Sequence, residues 1–173
     1  PGRAARSSGA LQSAVVSTTG TRRGSRVVAV ISHVALARQK LDSYRPETPR
    51  ADEKTAIFFY GGSWDQGEKG DYLFVAQALA SRGIAVIVPD YRLYPEVRFP
   101  TFLEDAAKDT RWAADRVGLD TLFLIGHSAG AHIALMLAAN TPYLAAAGVD
   151  RMMMRADIGL YGSYDLQLGR AHC

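Results

Sequence analysis

A series of short, unbroken apolar runs constrains this sequence more than any other feature. They are Ala56–Tyr60, Ile84–Val88 and Leu122–Ile125, with a weaker one at Ala156–Tyr161. None alternates apolar with polar residues. Continuous runs of this length suit strands buried on both faces of a parallel sheet. Helical patterns fill the gaps between them. Asp71 reads as the cap of a helix carrying Tyr72, Val75, Ala76, Leu79 and Ala80 on its apolar face, with Gly83 just past its end. A second helix starts near Pro100, has Glu104 and Asp105 in its first turn and Arg116 in its last, and stops at Gly118. Its apolar stripe is Leu103, Ala106, Ala107, Thr110, Ala113, Ala114 and Val117. A third runs from about Ser128 to Ala139 and stops near Asn140-Thr141-Pro142. Strand–helix–strand repeated at roughly 30 to 37 residues is a chain of βαβ units, so the expected fold class is α/β, a mostly parallel sheet with flanking helices.

Before this core, Val27–Ile31 and Gln39–Tyr44 read as two short antiparallel strands, and Pro46 to Lys54 as a loop. The length of 173 residues suggests about one domain. Net charge is +3, but it is unevenly spread. Residues 1–50 carry nine Lys or Arg against two acids, and residues 51–173 carry eleven against fifteen. The basic excess belongs to the start of the chain and does not argue for nucleic-acid binding by the domain. Residues 1–26 hold five Arg, five Ser and no acid, without a sustained period. They read as a basic, disordered leader or as a transit peptide. No run of about 18 apolar residues exists, so no membrane span is expected. No secretory signal is visible, and the expected location is the cytoplasm. The single cysteine, Cys173, excludes an internal disulfide and a cysteine-based zinc site.

Two motifs carry chemistry. Gly126-His127-Ser128-Ala129-Gly130 follows an apolar run directly and opens a helix. This is a G-x-S-x-G nucleophile elbow in its diagnostic strand–turn–helix context. The turn is too tight for flanking side chains, hence Gly126 and Gly130. It lifts the Ser128 hydroxyl above the sheet and puts a helix N-terminus beneath it, where the Ala129 N–H can donate to an oxyanion. The second motif is Tyr60-Gly61-Gly62-Ser63-Trp64, again after a buried strand. Consecutive glycines let backbone N–H groups turn toward a ligand, and the end of this strand is where an oxyanion loop belongs.

These motifs, with Pro89-Asp90-Tyr91-Arg92-Leu93, Phe99-Pro100 leading into Glu104-Asp105, and Gly126–His132, resemble an α/β-hydrolase. Within that fold the chain is similar to the carboxylesterase/lipase group that includes hormone-sensitive-lipase-like and feruloyl-esterase-like bacterial esterases. The likeness runs over roughly residues 35–166. It implies Ser128 as nucleophile, with the N–H groups of Gly62, Ser63 and Ala129 as the oxyanion hole. The family usually has His at the position of Tyr60. Trp64 would line the substrate pocket, or else pack beside the loop. Asp90 and Arg92 would tie down the segment after their strand, as a buried pair.

The resemblance also exposes a gap. In this fold the order is Ser, then Asp or Glu, then His. Only 45 residues follow Ser128, and the family's acid and histidine are expected beyond residue 173. The histidines present are poor substitutes. His127 would pack beside the elbow. His132 lies along the helix beneath Ser128, whereas the base must approach from above the sheet. His33 precedes the core and His172 lies near the end. Asp165 belongs to a turn after a strand. Met152-Met153-Met154 is expected to pack near the next strand. Residues 27–173 therefore read as an incomplete α/β-hydrolase domain. The expected function is that of a serine carboxylic-ester hydrolase acting on a small ester substrate, impaired in this chain. The alternatives are an amidase or formamidase on the same scaffold, or a non-catalytic half-domain that associates through an incomplete sheet edge. No metal or organic cofactor is implied.

Overall fold

The computed structural model describes residues 40–162, Arg38, and strands at 15–16, 20–22 and 25–32. In chain order the elements are strands β1 (Val15–Val16), β2 (Gly20–Arg22), β3 (Ser25–Ser32), β4 (Lys40–Pro46) and β5 (Lys54–Phe59), helix α1 (Leu73–Ala80), β6 (Ile84–Pro89), α2 (Thr101–Val117), β7 (Leu122–His127), α3 (Ala129–Ala139), α4 (Thr141–Ala146) and β8 (Asp157–Leu160). They form one sheet in the order β1-β3-β4-β6-β5-β7-β8, with β2 also paired to β3. The four strands β6, β5, β7 and β8 run parallel, and β3 and β4 extend the sheet antiparallel. This is the mixed, mostly parallel sheet expected from the apolar runs. Ala56, Ile57, Phe58, Phe59, Val86, Val88, Leu122 and Leu124 are buried, as strands covered on both faces require.

The helices match the patterns with instructive differences. Asp71 does not cap α1. It sits in a short 3-10 turn, Lys69–Tyr72, where its carboxylate accepts from the Glu68 N–H at 3.1 Å. Helix α2 buries the expected stripe but also Asp105 and Asp109. Asp105 lies on the inner face because Arg92 meets it there. Nε and Nη2 of Arg92 each donate to a different Asp105 oxygen at 2.7 Å. The expected Asp90–Arg92 pair is therefore corrected: each has another partner, Arg92 with Asp105, and Asp90 with the Lys69 N–H at 2.8 Å. Helix α3 stops at Ala139 as expected, short of Pro142. Placed in the first turn, where its missing N–H costs nothing, Pro142 opens α4. Of the three methionines only Met154 joins the core, while Met152 and Met153 are exposed.

Strands β1 and β2 lie inside the segment read as a leader, each paired antiparallel with β3. The rest of that segment, with His33, Asp165 and His172, lies outside the described residues. Among the described residues no helix is long and apolar enough to cross a membrane.

The Arg92–Asp105 fork clamps the chain after β6 onto α2. Removing one partner of a buried pair leaves an uncompensated charge, at a cost of about 3 to 5 kcal/mol. Arg92 keeps some access to water, so Asp105→Ala is expected to cost about 3 kcal/mol, at the lower end. Urea unfolding measures this; a loss near zero would show that the fork contributes little.

Candidate active site

Parallel pairing of β5 with β7 puts Ile57 beside Leu124 and Phe59 beside Gly126. The residues that follow, Tyr60–Trp64 and His127–Gly130, thus leave the sheet side by side at the same end. Their approach is close enough to dictate glycine. A Cβ on Gly126 would lie 2.0 Å from the Gly130 carbonyl oxygen, and one on Gly130 would lie 2.0 Å from that of Phe59. Neither contact is survivable, which is why both ends of the elbow lack a side chain.

Ser128 occupies the turn with φ 53° and ψ −116°. A non-glycine residue held there costs about 1 to 3 kcal/mol and persists only where its surroundings over-determine it. They do so on both sides. The Ser128 N–H donates to the Leu160 carbonyl at 2.9 Å, and its own carbonyl accepts from Ala131 and His132 at 3.0 and 3.2 Å. The side chain is left half-buried at the C-terminal end of the sheet, with Ala129 starting α3 behind it.

The facing loop is equally constrained. Gly62 has φ 140°, and Ser63 and Trp64 are both left-handed, at φ 52° and 62°. The Gly62 carbonyl accepts from the N–H groups of Asp65 and Gln66, closing the turn. The Gly61 N–H is committed to the Tyr72 hydroxyl at 3.2 Å. The N–H groups of Gly62 and Ser63 carry no such commitment among the described residues. With Ala129 at the helix N-terminus, they are the donors this arrangement can offer to a developing oxyanion.

Polar ties anchor the loop from below. The Tyr91 hydroxyl donates to the Tyr60 carbonyl at 2.8 Å, Arg38 donates to the Gly67 carbonyl at 3.2 Å, and the Tyr94 N–H donates to the Trp64 carbonyl at 2.8 Å. Lys69 spans two acids, its N–H on Asp90 and its ammonium 2.9 Å from Asp42. Burial pushes the Asp90 carboxyl above its ordinary range, opposed by the Lys69 N–H. Tyr60, in the place of the family's usual His, is fully buried and stacks on Tyr91 at 4.6 Å between ring centres. Burial, then the Asp90 charge, raises its phenol far above the usual range, so it stays neutral and serves as packing.

Trp64 does not line the cleft beside the elbow. It is buried, stacked on Phe102 at 5.9 Å and edge-on to His132 at 5.3 Å. The cleft, about 720 Å³, is lined instead by Phe58, Gly61, Gly62, Tyr72, Phe74 and His127, among others. Neither of the two described histidines is hydrogen-bonded to the Ser128 side chain. His127 directs Nδ1 to the Tyr72 hydroxyl at 2.8 Å. His132 is buried against Trp64 and its Nδ1 has no hydrogen-bond partner. Tyr72 escaped the sequence reading, which counted it as one apolar position of a helix; only its phenol oxygen distinguishes it there.

Residues 41–168 match the BD-FAE family. The chain belongs to it. It is thereby an α/β-hydrolase of the esterase group. Among curated relatives, it is 31% identical over 139 residues to a probable isoprenylcysteine alpha-carbonyl methylesterase of Oryza sativa, covering 75% of this chain and 34% of the relative. It is 28% identical over 123 residues to kynurenine formamidase of Danio rerio, covering 69% and 42%. Among solved structures, esterase B from Lactobacillus rhamnosis superposes with a TM-score of 0.74 at 24% identity, covering 84% of this chain and 50% of that one. An esterase from the archaeon Pyrobaculum calidifontis gives 0.65 at 25% identity, covering 88% and 46%. This BD-FAE chain thus spans about half of those structures and less than half of those two relatives.

One consequence for stability follows from His132. Burial holds its imidazole below the ordinary value, so the folded protein takes up a proton there less readily than the unfolded chain. The unfolded chain takes up that proton as pH falls through about 6.5. The native state therefore loses stability below that point, and gains or loses nothing from this group above it. Urea unfolding at pH 7.5 and 5.5 is expected to show a smaller acid loss in His132→Leu than in the wild type. Equal losses would contradict the assignment.

Proposed function

We propose that Ser128 is the nucleophile of a serine carboxylic-ester hydrolase and that Gly62, Ser63 and Ala129 form its oxyanion hole. The observation that carries this reading is the strained Ser128 backbone, over-determined on both sides, beside a loop whose next donors are uncommitted. In the reaction, the Ser128 oxygen attacks the ester carbonyl and the three N–H groups stabilise the charge on the former carbonyl oxygen. A histidine oriented by a carboxylate takes the serine proton and returns it to the leaving alcohol. Neither described histidine is hydrogen-bonded to Ser128, which supports a chain short of that base. Turnover by this chain is expected to be slow, since binding and an oxyanion hole without a base are worth about 10³ to 10⁴ over water.

An arylboronic acid tests the site without a catalytic base. Its boron adds the Ser128 oxygen to give a tetrahedral borate, and the proton goes to the buffer. The expected result is a Ser128-dependent tetrahedral ¹¹B signal at pH 8.5, absent in Ser128→Ala. Its absence from the wild type would overturn the site. Turnover of p-nitrophenyl acetate is expected to be no faster in the wild-type chain than in Ser128→Ala; a Ser128-dependent burst would overturn the impairment and keep the site.

Similarity to a formamidase supports a second reading, hydrolysis of a formamide by the same parts. The exposed side chains of Ile158 and Leu160 support a third property, self-association. They lie on β8, which among the described strands pairs only with β7. A bare, apolar edge strand invites pairing with another chain. Sedimentation velocity is expected to show species larger than a monomer; a compact monomer at micromolar concentration would reject association.

A further inference from the structure

We propose that Tyr72 is a positioning residue, tying the oxyanion loop to the nucleophile elbow through one hydroxyl; this rests on the ester-hydrolase reading of Ser128. The Tyr72 oxygen accepts from the Gly61 N–H at 3.2 Å and lies 2.8 Å from Nδ1 of His127. Gly61 immediately precedes Gly62, and His127 immediately precedes Ser128. One phenol thus spans the two segments that must hold their distance for the reaction. With Gly61 donating to it, the phenol still has its own proton and a second lone pair for Nδ1, and the direction of that bond follows the imidazole tautomer.

Among the described residues no other hydrogen bond joins Gly61–Trp64 to His127–Gly130, although the Trp64 ring also packs against His132 of α3. The β5–β7 pairing ends at Phe59 and Gly126, before either segment. Beyond it, loop and elbow are held apart by contact: a Cβ on Gly61 would lie 3.0 Å from Ser128 Cβ and from the His127 carbonyl. Contact sets a minimum separation but no maximum. The Tyr72 bridge supplies the maximum. It also fixes the peptide on the N-terminal side of Gly61, one residue before the peptide that carries the Gly62 N–H. Tyr72 itself is well founded, in the 3-10 turn before α1, with its ring 5.2 Å from that of Phe58. Oxyanion donors act only within about 2.7 to 3.1 Å of the oxygen, and a misplacement of about 1 Å costs roughly a hundredfold.

Tyr72→Phe keeps the ring and removes the bridge. In the 173-residue chain, Gly61 amide exchange is expected to speed up at least tenfold, with a shift of the His127 ring ¹⁵Nδ1 resonance and no change at the amides of β5 and β7. Arylboronic acid affinity is expected to fall about tenfold, and His127→Ala in the Tyr72→Phe background to weaken it no further. Unchanged Gly61 exchange and His127 resonances would show that the bridge does not exist. Altered exchange with unchanged boronate affinity would reduce Tyr72 to packing and overturn the positioning role. If the wild type binds no boronate while Gly61 protection still depends on Tyr72, the nucleophile reading falls, and the positioning role falls with it. That pattern is distinct from a missing bridge. Should Tyr72→Phe lose the core amides, Tyr72→His, which retains a ring and a polar nitrogen, is compared instead, with partial retention of boronate affinity expected and complete loss overturning the role.

Discussion

Helix α3 can sit at the end of the sheet because two side chains are missing. The Gly130 Cα lies so near strand β5 that any Cβ would strike the Phe59 carbonyl at 2.0 Å, and the Gly126 position is closed by Gly130 in the same way. That contact sets the height of the helix relative to the strand. It forces the intervening turn through Ser128 into a conformation that serine ordinarily avoids, and it brings the loop after β5 against the elbow. Everything chemically interesting follows from it: the projection of the hydroxyl, the helix N-terminus behind it, and the loop in front.

The strain is sustained by a polar scaffold whose members are far apart in sequence. Tyr91, Arg38, Lys69 and Asp90 hold the oxyanion loop from below, and Arg92 locks the following segment to α2 through Asp105. Each replaces water on a group that burial would otherwise leave unsatisfied, and such groups are costly when orphaned. The consequence is a rigid half-site. The Ser128 hydroxyl and the uncommitted N–H groups of Gly62 and Ser63 are held in fixed places, and neither described histidine is hydrogen-bonded to Ser128.

Much of this was legible in advance because it is local. Apolar runs identified β5, β6 and β7, and the two glycines of the elbow were interpretable from chain geometry alone. The approximate extent of α2 and α3 followed from periodicity and stop signals. The failures have a common cause. Asp71 looked like a cap because propensity ignores the 3-10 turn that holds it. Trp64 packs on Phe102 and His132, contacts that no local pattern announces. Asp90 and Arg92 lie two residues apart, and nothing local reveals that each reaches for a different distant partner.

The amino-acid order by itself determined the fold class, the elbow and the family resemblance, since each depends on periodicity or on residues close in the chain. Only the tertiary structure decided which N–H groups stay uncommitted, that His127 turns toward Tyr72, and that Trp64 packs on His132. Those outcomes depend on distances between segments brought together by strand register. A hydroxyl at position 72 and an imidazole at position 127 acquire a relation only when the sheet sets them 2.8 Å apart.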